Sequence, residues 1–418
     1  MRFRYLAAAG LALALSCQHG HATNGYFAHG YGTIAKGMAG AGTALSQDAL
    51  AAATNPAGMA FVGHRADLGL EVFSPRREFS VSGGGTPQPG TFYLLEGHRQ
   101  SGSEYFPIPH FGFNRRLDER HTLGVSVFAN GGMNTDWSGT DGGPFFAGEA
   151  GVDLAQLFVL PTWTRRVGAA HAVGISPVAV WQRFEGTGVA SFTDFSADPA
   201  ALSDNGTDDS FGYGLQLGWQ GELGPTFRAG LSWRSRIRMD EFDRYRGLFA
   251  EQGGFDIPQM INAGIAWSGL DGHWLLVDLQ HIRYSEIDSV GAPLLPNLAT
   301  ARLGDDGGAG FGWENMTVVK VGWQWRQDAR QAWRAGVSYG EQPIPSSEVL
   351  FNILAPGVQE WHFTGGFSRR LGNGTLLSGM AFYSPEKAVR GANPLGPGQT
   401  IELSMVQYGV SFSLAWQH

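Results

Sequence analysis

Long apolar runs are missing from this sequence. Among its 418 residues the longest is Tyr5 to Leu15, and a membrane-crossing helix needs about 20 consecutive apolar residues. Cysteine is almost missing as well. Cys17 is the only one, and it falls in the leader described below, so the mature chain has neither a disulfide scaffold nor a thiolate zinc site. Charge is sparse: 16% of residues are charged, against about a quarter in ordinary soluble proteins. The formal net charge of −8 argues against nucleic acid as a partner. In their place stand 62 glycines and 12% aromatics, a composition that fits a large β-protein with many tight turns.

The first residues read as a secretion leader. Arg2 and Arg4 give a basic start, Tyr5 to Leu15 an apolar middle, and Gly20-His21-Ala22 a small-residue exit, so cleavage is expected after Ala22. Lipidation of Cys17 is the rival, but Ala14-Leu15-Ser16 makes a poor lipoprotein signal. Residues 23–62 follow. They are glycine-rich and short of charge, yet contain Tyr26, Phe27, Tyr31, Met38, Met59 and Phe61. That is too apolar for a free tail and too small for a core of its own. The segment is expected to lodge inside a container as a plug. A short helix is predicted over Asp48–Thr54, capped by Ser46, and Asn55 before Pro56 should end it.

After Arg65 the hydrophobic period is two. Phe211, Tyr213, Leu215, Leu217 and Trp219 alternate with Gly212, Gly214, Gln216, Gly218 and Gln220; Phe227, Ala229, Leu231 and Trp233 alternate with Arg228, Gly230, Ser232 and Arg234. One greasy and one small or polar face over about ten residues is the pattern of a strand with lipid outside and packed polar groups inside. Fourteen segments follow it: Ala66–Ser74, Tyr105–Arg115, His121–Asn130, Leu154–Arg166, His171–Phe184, Phe211–Gly221, Thr226–Met239, Gln259–Ser268, His273–Ser285, Asn315–Arg326, Ala332–Gly340, Gln359–Arg370, Gly374–Ser384 and Thr400–His418. The count is even, and short turns such as Val167–Ala170 and Gly269–Gly272 alternate with long connections, as in outer-membrane barrels. Tryptophans cluster near strand ends, which suits interfacial girdles. The final strand puts Tyr408, Val410, Phe412, Leu414 and Trp416 on one face, and Gln407-x-Gly409-x-x-Phe412-x-Leu414 resembles the C-terminal signal read by barrel-assembly machinery. The fold expected is an all-β transmembrane antiparallel barrel of 14 strands over residues 63–418, monomeric, with the plug of residues 23–62 in its lumen. It belongs in a Gram-negative outer membrane, between phospholipid and lipopolysaccharide.

Several pieces carry a family resemblance when taken in order. They are Asn24-Gly25-Tyr26-Phe27, Gly37-Met38-Ala39-Gly40-Ala41-Gly42, Asp48-Ala49 leading to Asn55-Pro56-Ala57, Asn130-Gly131-Gly132-Met133-Asn134-Thr135, Gly151-Val152-Asp153-Leu154, Trp233-Arg234-Ser235, and Val277-Asp278-Leu279 with Tyr284-Ser285. Over nearly the whole mature chain the sequence resembles the FadL-type long-chain fatty-acid and hydrocarbon transporters. The resemblance implies a fourteen-stranded barrel, a plug of some forty residues, no energy-consuming domain, no cofactor, and passive uptake of hydrophobic small molecules with release sideways through the wall.

A sideways release needs a wall with missing ladder bonds. Proline removes a donor and glycine invites a bulge, so the opening is assigned to Pro107 and Pro109 with Gly131 and Gly132, facing Asn55, Pro56 and Ala57 of the plug. Asn24 and Phe27 join the gate. Bulky residues at Gly131 and Gly132 are expected to abolish uptake with the barrel intact. Apolar residues in loops that would otherwise be polar mark the ligand pocket: Met133, Phe145, Phe146, Phe249, Leu350 and Phe351, with Phe192, Phe195 and Leu248 nearby. Packing that merely closes the barrel top is the plainer alternative. Fatty-acid members of the family carry a lysine in Tyr-x-Lys-x-Pro. Here Tyr339-Gly340-Glu341-Gln342-Pro343 puts an acid in its place, which would repel a carboxylate and favours neutral ligands, although Arg183, Arg234, Arg236 and Arg238 offer cations. Catalysis lacks a basis: the twelve histidines are scattered and form no His-x-x-x-His, and no metal site is expected, since Asp305-Asp306 and Asp208-Asp209 read as solvated loop acids. A porin-like channel for polar solutes and an adhesin are the remaining alternatives; a porin has no use for an apolar plug.

Overall fold

The computed structural model describes residues 24–86, 88–138, 142–372 and 374–417. The leader and Cys17 lie outside the described residues. The strands are β1 (Arg65–Ser82), β2 (Gly97–Gln100), β3 (Phe106–Arg116), β4 (His121–Trp137), β5 (Ala150–Val167), β6 (His171–Thr187), β7 (Asp208–Glu222) and β8 (Phe227–Arg234). The second half holds β9 (Arg238–Met239), β10 (Met260–Trp267), β11 (His273–Ile282), β12 (Met316–Arg326), β13 (Gln331–Gly340), β14 (Trp361–Arg370), β15 (Leu376–Ala392) and β16 (Thr400–Gln417). β2 only flanks β1, and β9 only touches β7. The other fourteen pair antiparallel in chain order, and β16 meets β1 from Arg65↔Gln417 to Ser82↔Thr400, which closes the cylinder.

Each strand read from the alternation is present. The outward row of β8 is Phe227, Leu231 and Trp233, all exposed, while Ser232 and Arg234 between them are buried. On β16, Tyr408, Val410, Phe412 and Leu414 face out; Gln407, Ser411 and Ser413 face in. Lipid satisfies the first row, and the closed ladder satisfies the backbone. The differences lie at the outer ends. β1 runs on through Pro75-Arg76-Arg77-Glu78 to Ser82, β4 runs seven residues past Asn130, and β15 continues past Ser384 after a register shift before Lys387. There the strands rise out of lipid and the greasy outward row ends, while inward residues such as Phe79, Val81 and Val389 join an apolar core under the loops, so the outward-greasy, inward-polar contrast that betrays a strand disappears.

The interior is filled. Almost every residue of 24–62 is buried, and its ties reach strands all round the cylinder. Asp278 accepts from the N–H groups of both Gly42 and Thr43 at 2.8 Å. Lys36 pairs with Glu71, Lys320 donates to the His29 carbonyl at 2.8 Å, and Asn114 donates to the Met59 carbonyl at 2.9 Å. Burial, then Lys36, pushes the His29 imidazole well down, so it packs uncharged against His362 and Phe382. Strand glycines make room for this backbone. A Cβ on Gly230 would lie 2.0 Å from the Thr43 oxygen, and one on Gly174 would lie 2.4 Å from the Pro56 carbonyl carbon. The predicted plug helix is shorter than expected: an α-turn over Ala51–Thr54 precedes a 3-10 helix over Pro56–Phe61. Ser46 is not its cap. Its hydroxyl donates to Gln220, and the Asp48 carboxylate takes the Leu50 N–H instead. Asn55 is extended before Pro56, as predicted, and its side chain caps the 3-10 helix.

Removing the Asp278 carboxylate tests how firmly the segment is seated. Asp278→Ala leaves two buried N–H groups without an acceptor, at a cost of about 1–3 kcal/mol each. The barrel should still assemble, because lipid and the ladder hold it. Planar-bilayer recordings should then show frequent brief openings that are rare in the parent protein. A silent variant would mean that the remaining ties are sufficient.

Candidate functional site

The wall is incomplete between β3 and β4. β3 pairs with β1 over Phe106–Asn114, but its ladder to β4 begins only at Phe111↔Val127 and ends at Arg116↔Thr122. β4 continues to Trp137 with β5 as its strand partner, after a register shift between Ala129 and Gly131. The edge of β4 left by β3 is taken by the N-terminal segment. Ala28 N–H donates to the Asn130 carbonyl at 2.7 Å, Gly132 N–H donates to the Tyr26 carbonyl at 3.0 Å, and Phe27 forms an antiparallel bridge with Gly131. Pro107 and Pro109 lie in the part of β3 that has parted from β4, and neither has an N–H to extend the ladder. Farther out, Gly102 N–H donates to the Asp136 carbonyl at 2.8 Å, so the chain before β3 crosses to β4.

Inside the outer loops is an apolar pocket. Phe145, Phe184, Phe192, Phe249, Phe311 and Phe351 are its aromatic lining, and Ser289 is its only polar residue. Its free volume is about 30 Å³, room for little more than a water. Sites that hold organic ligands are about 300 Å³ or larger. This is therefore a closed form, in which the rings occupy the space a ligand would take.

The pocket does not end there. Phe184 packs on Phe249 with ring centroids 4.7 Å apart, Phe249 on Phe255 at 4.9 Å, Phe255 on Tyr26 at 6.2 Å, and Tyr26 on Phe27 at 5.1 Å. Phe27 is the residue bridged to Gly131. An unbroken line of rings thus joins the outer pocket to the interrupted wall. Tyr284 donates to the Asn24 carbonyl, and the Asn24 amide donates to Gln280 at 3.0 Å, which anchors the start of the segment. Burial raises the Tyr26 hydroxyl far above its ordinary range, so it stays protonated. Arg234 is fully buried between the rings of Phe27 and Phe158, 5.5 and 5.0 Å from their centroids, and donates to Asn130 at 3.0 Å. It holds the gap-side edge of β4 in place.

The sequence-derived residues divide accordingly. Phe145, Phe249 and Phe351 meet in the pocket; Pro107, Pro109, Gly131 and Gly132 meet at the gap, with Phe27 on it. Met133 and Leu350 are buried in the same apolar core without lining the pocket, and Phe146 is 47% exposed, turned away against Phe92. Asn55, Pro56 and Ala57 do not face the gap. Asn55 donates to the Trp219 carbonyl and Pro56 accepts from Thr164, so this turn sits against β5 to β7. The sequence predicts the partner wrongly because Asn-Pro-Ala marks a turn, whereas Tyr26 and Phe27 are placed by backbone pairing. Glu341 is exposed, outside the pocket, so it exerts no close repulsion on a ligand there. Arg183 is paired with Asp153 and Arg236 with Asp256, while Arg238 is exposed. Phe184 and Phe311 are missed as pocket residues. Phe184 carries a readable sign, an aromatic ring on the inward row of β6 beside Gln182; Phe311 stands alone in a glycine-rich loop.

A family model described as outer membrane protein transport protein (OMPP1/FadL/TodX) matches residues 15–356. No curated protein sequence matches the chain. Among solved structures, a Pseudomonas aeruginosa FadL homologue is 18% identical with a TM-score of 0.68, covering 94% of this chain and 98% of its own. The toluene transporter TodX of P. putida is 16% identical with a TM-score of 0.64, covering 93% and 99%. The toluene transporter TbuX of Ralstonia pickettii is 17% identical with a TM-score of 0.59, covering 92% and 98%. At these identities the likeness is one of fold.

Proposed function

We propose, from the premise that this chain belongs to the OMPP1/FadL/TodX family of outer membrane transport proteins, that it takes up neutral hydrophobic small molecules by passive diffusion. A molecule leaves the lipopolysaccharide surface for the outer loops, displaces the rings of the Phe145–Phe192–Phe351 pocket, moves along the aromatic line to Tyr26 and Phe27, and exits sideways between β3 and β4. One monomeric barrel provides the whole route. The observation that carries the reading is the parted β3–β4 ladder with Phe27 seated on its free edge at the end of that line.

Physical chemistry supports each step. An apolar ligand gains about 25 cal/mol for each Å² of apolar surface it removes from water, and the family's passive route has no other driving force than this and the concentration gradient. The pocket presents no charge, so a carboxylate entering it would lose hydration without a partner. Fatty acids are therefore poorer ligands than hydrocarbons of the same length, and the names of TodX and TbuX point the same way.

The test is an uptake measurement in cells whose own outer membrane lacks such a carrier. Labelled toluene and a labelled long alkane should enter faster with the protein than without it, labelled oleate more slowly than the alkane, and sucrose at the background rate. Sucrose entering as fast as toluene would make the protein a porin. Oleate outrunning the alkane would overturn the neutral-ligand reading while leaving transport itself standing.

A further inference from the structure

Charge is distributed unevenly along the barrel axis. The chain is acidic as a whole, yet the end bearing the short turns is ringed by arginine: Arg115, Arg116, Arg120, Arg165, Arg166, Arg326, Arg330, Arg369 and Arg370 sit at the ends of their strands or in the turns between them. Short turns are periplasmic in such barrels. Most of these side chains are ordinary rim charges. One group is not.

Between the β3–β4 and β5–β6 turns lies an open groove of about 890 Å³ lined by Arg116, Arg120, Arg165 and Arg166 together with Trp163 and Val173. Glu119 is the only acid on it. Among the described residues none of the four arginines forms an ion pair. Arg116 and Arg166 are held by backbone carbonyls, of Asp118 at 2.9 Å and Ala60 at 2.8 Å, and Arg166 also stacks on Phe61. Arg120 and Arg165 have free guanidinium groups. Four like charges in one groove repel, and the nearby acids offset them only in part: Glu119 lines the groove and the Asp118 carboxylate accepts the Arg120 N–H at 2.7 Å, so a cationic excess remains that an anion would relieve.

The apolar part of the groove says which anion. Trp163, Val167 and Val173 are exposed on the lipid-facing rows of β5 and β6, at 40%, 52% and 40%. Along β5 that row reads Leu157, Val159, Pro161, Trp163 and then Arg165. Arg165 is thus the first charge met where lipid gives way to water, at the height of the phosphates of the periplasmic leaflet, with an interfacial tryptophan below it. His121 stacks on Trp163 at 5.9 Å and fixes the ring. A soluble anion would use the arginines and ignore this apolar wall. A glycerophospholipid uses both: its phosphodiester meets the guanidinium groups and its acyl chains lie on Trp163 and Val173.

We propose that this groove is a binding site for an anionic phospholipid of the periplasmic leaflet, independent of the transport route. Native mass spectrometry of the full chain, released from detergent after mixing with phosphatidylglycerol or with phosphatidylcholine of the same acyl chains, tests it. Phosphatidylglycerol should be retained about tenfold more. In Arg120→Gln/Arg165→Gln its retention should fall to the phosphatidylcholine level, while the heat-modifiable gel shift of the folded barrel is unchanged and Arg238→Gln, on the opposite rim, has no effect. Equal retention of the two lipids, or a double variant that keeps its preference, overturns the proposal. Loss of the bound phosphatidylglycerol to about 10 mM inorganic phosphate, at matched ionic strength, would make this a simple anion site and overturn it equally.

Discussion

Deleting residues 23–62 from the mature chain should convert a nearly closed cylinder into a conducting one. Apart from the β4 edge that Tyr26–Ala28 covers, the wall does not depend on the segment: fourteen strands pair in order, β16 closes on β1 over eighteen residue pairs, and the outward rows are apolar whether or not the lumen is filled. The lumen does depend on it. Its walls are glycines that fit plug backbone, such as Gly230 and Gly174, and polar groups that now point at that backbone, such as Asp278, Lys320 and Asn114. With the segment gone those groups hydrate and the bore fills with water. Conductance in planar bilayers should rise by roughly an order of magnitude or more, as for any barrel of this size without an obstruction. Gly230→Val reaches the same end without deletion, because its Cβ would lie 2.0 Å from the Thr43 oxygen and must dislodge that loop. A folded deletion protein that conducts no better than the parent would show that the outer loops, rather than residues 23–62, close the barrel.

What could be read from the residues alone follows from which contrasts the surroundings impose. Lipid on one side and packed polar groups on the other force a two-residue period, so all fourteen strands are legible where they cross the membrane. The same strands are illegible where they leave it, as in Pro75–Ser82 and beyond Ser384. The pocket is half legible. Phe145, Phe249 and Phe351 betray themselves as apolar residues in loops, but Phe184 and Phe311 come from a strand and from a glycine-rich turn, and only the fold brings them together. Phe146 shows the limit of composition: it adjoins Phe145 and differs only in direction, with a left-handed φ of 59° that turns it outward. Least legible is strand pairing. Pro107, Pro109 and Gly131 mark a weak place in the wall, but nothing local says that Tyr26–Ala28, about a hundred residues earlier, takes the vacant edge.

That long-range pairing changes the expected result of substituting Gly131. From the sequence, bulk at this position closes the wall and stops uptake. In the fold, the missing side chain points inward, and a Cβ would lie 1.7 Å from the Tyr26 carbonyl oxygen and 3.0 Å from the Phe27 Cα. Backbone cannot yield at such distances as a flexible side chain can, so in Gly131→Val the N-terminal segment must give up its bonds to Asn130 and Gly132. β3 cannot take the edge over, since Pro107 and Pro109 offer no donors. The gap then stands open instead of sealed. Toluene uptake should rise about tenfold over the parent protein, the increment expected when about 1.4 kcal/mol of gating is removed, and cells should become sensitive to bulky hydrophobic antibiotics. Gly365→Ala, on β14, is the control, for its Cβ would find nothing closer than the Arg334 carbonyl oxygen at 3.9 Å. Uptake that falls in Gly131→Val with the barrel folded would mean that Phe27 guides the ligand outward rather than holding the exit shut, and the seal assigned to Tyr26–Ala28 would have to be abandoned.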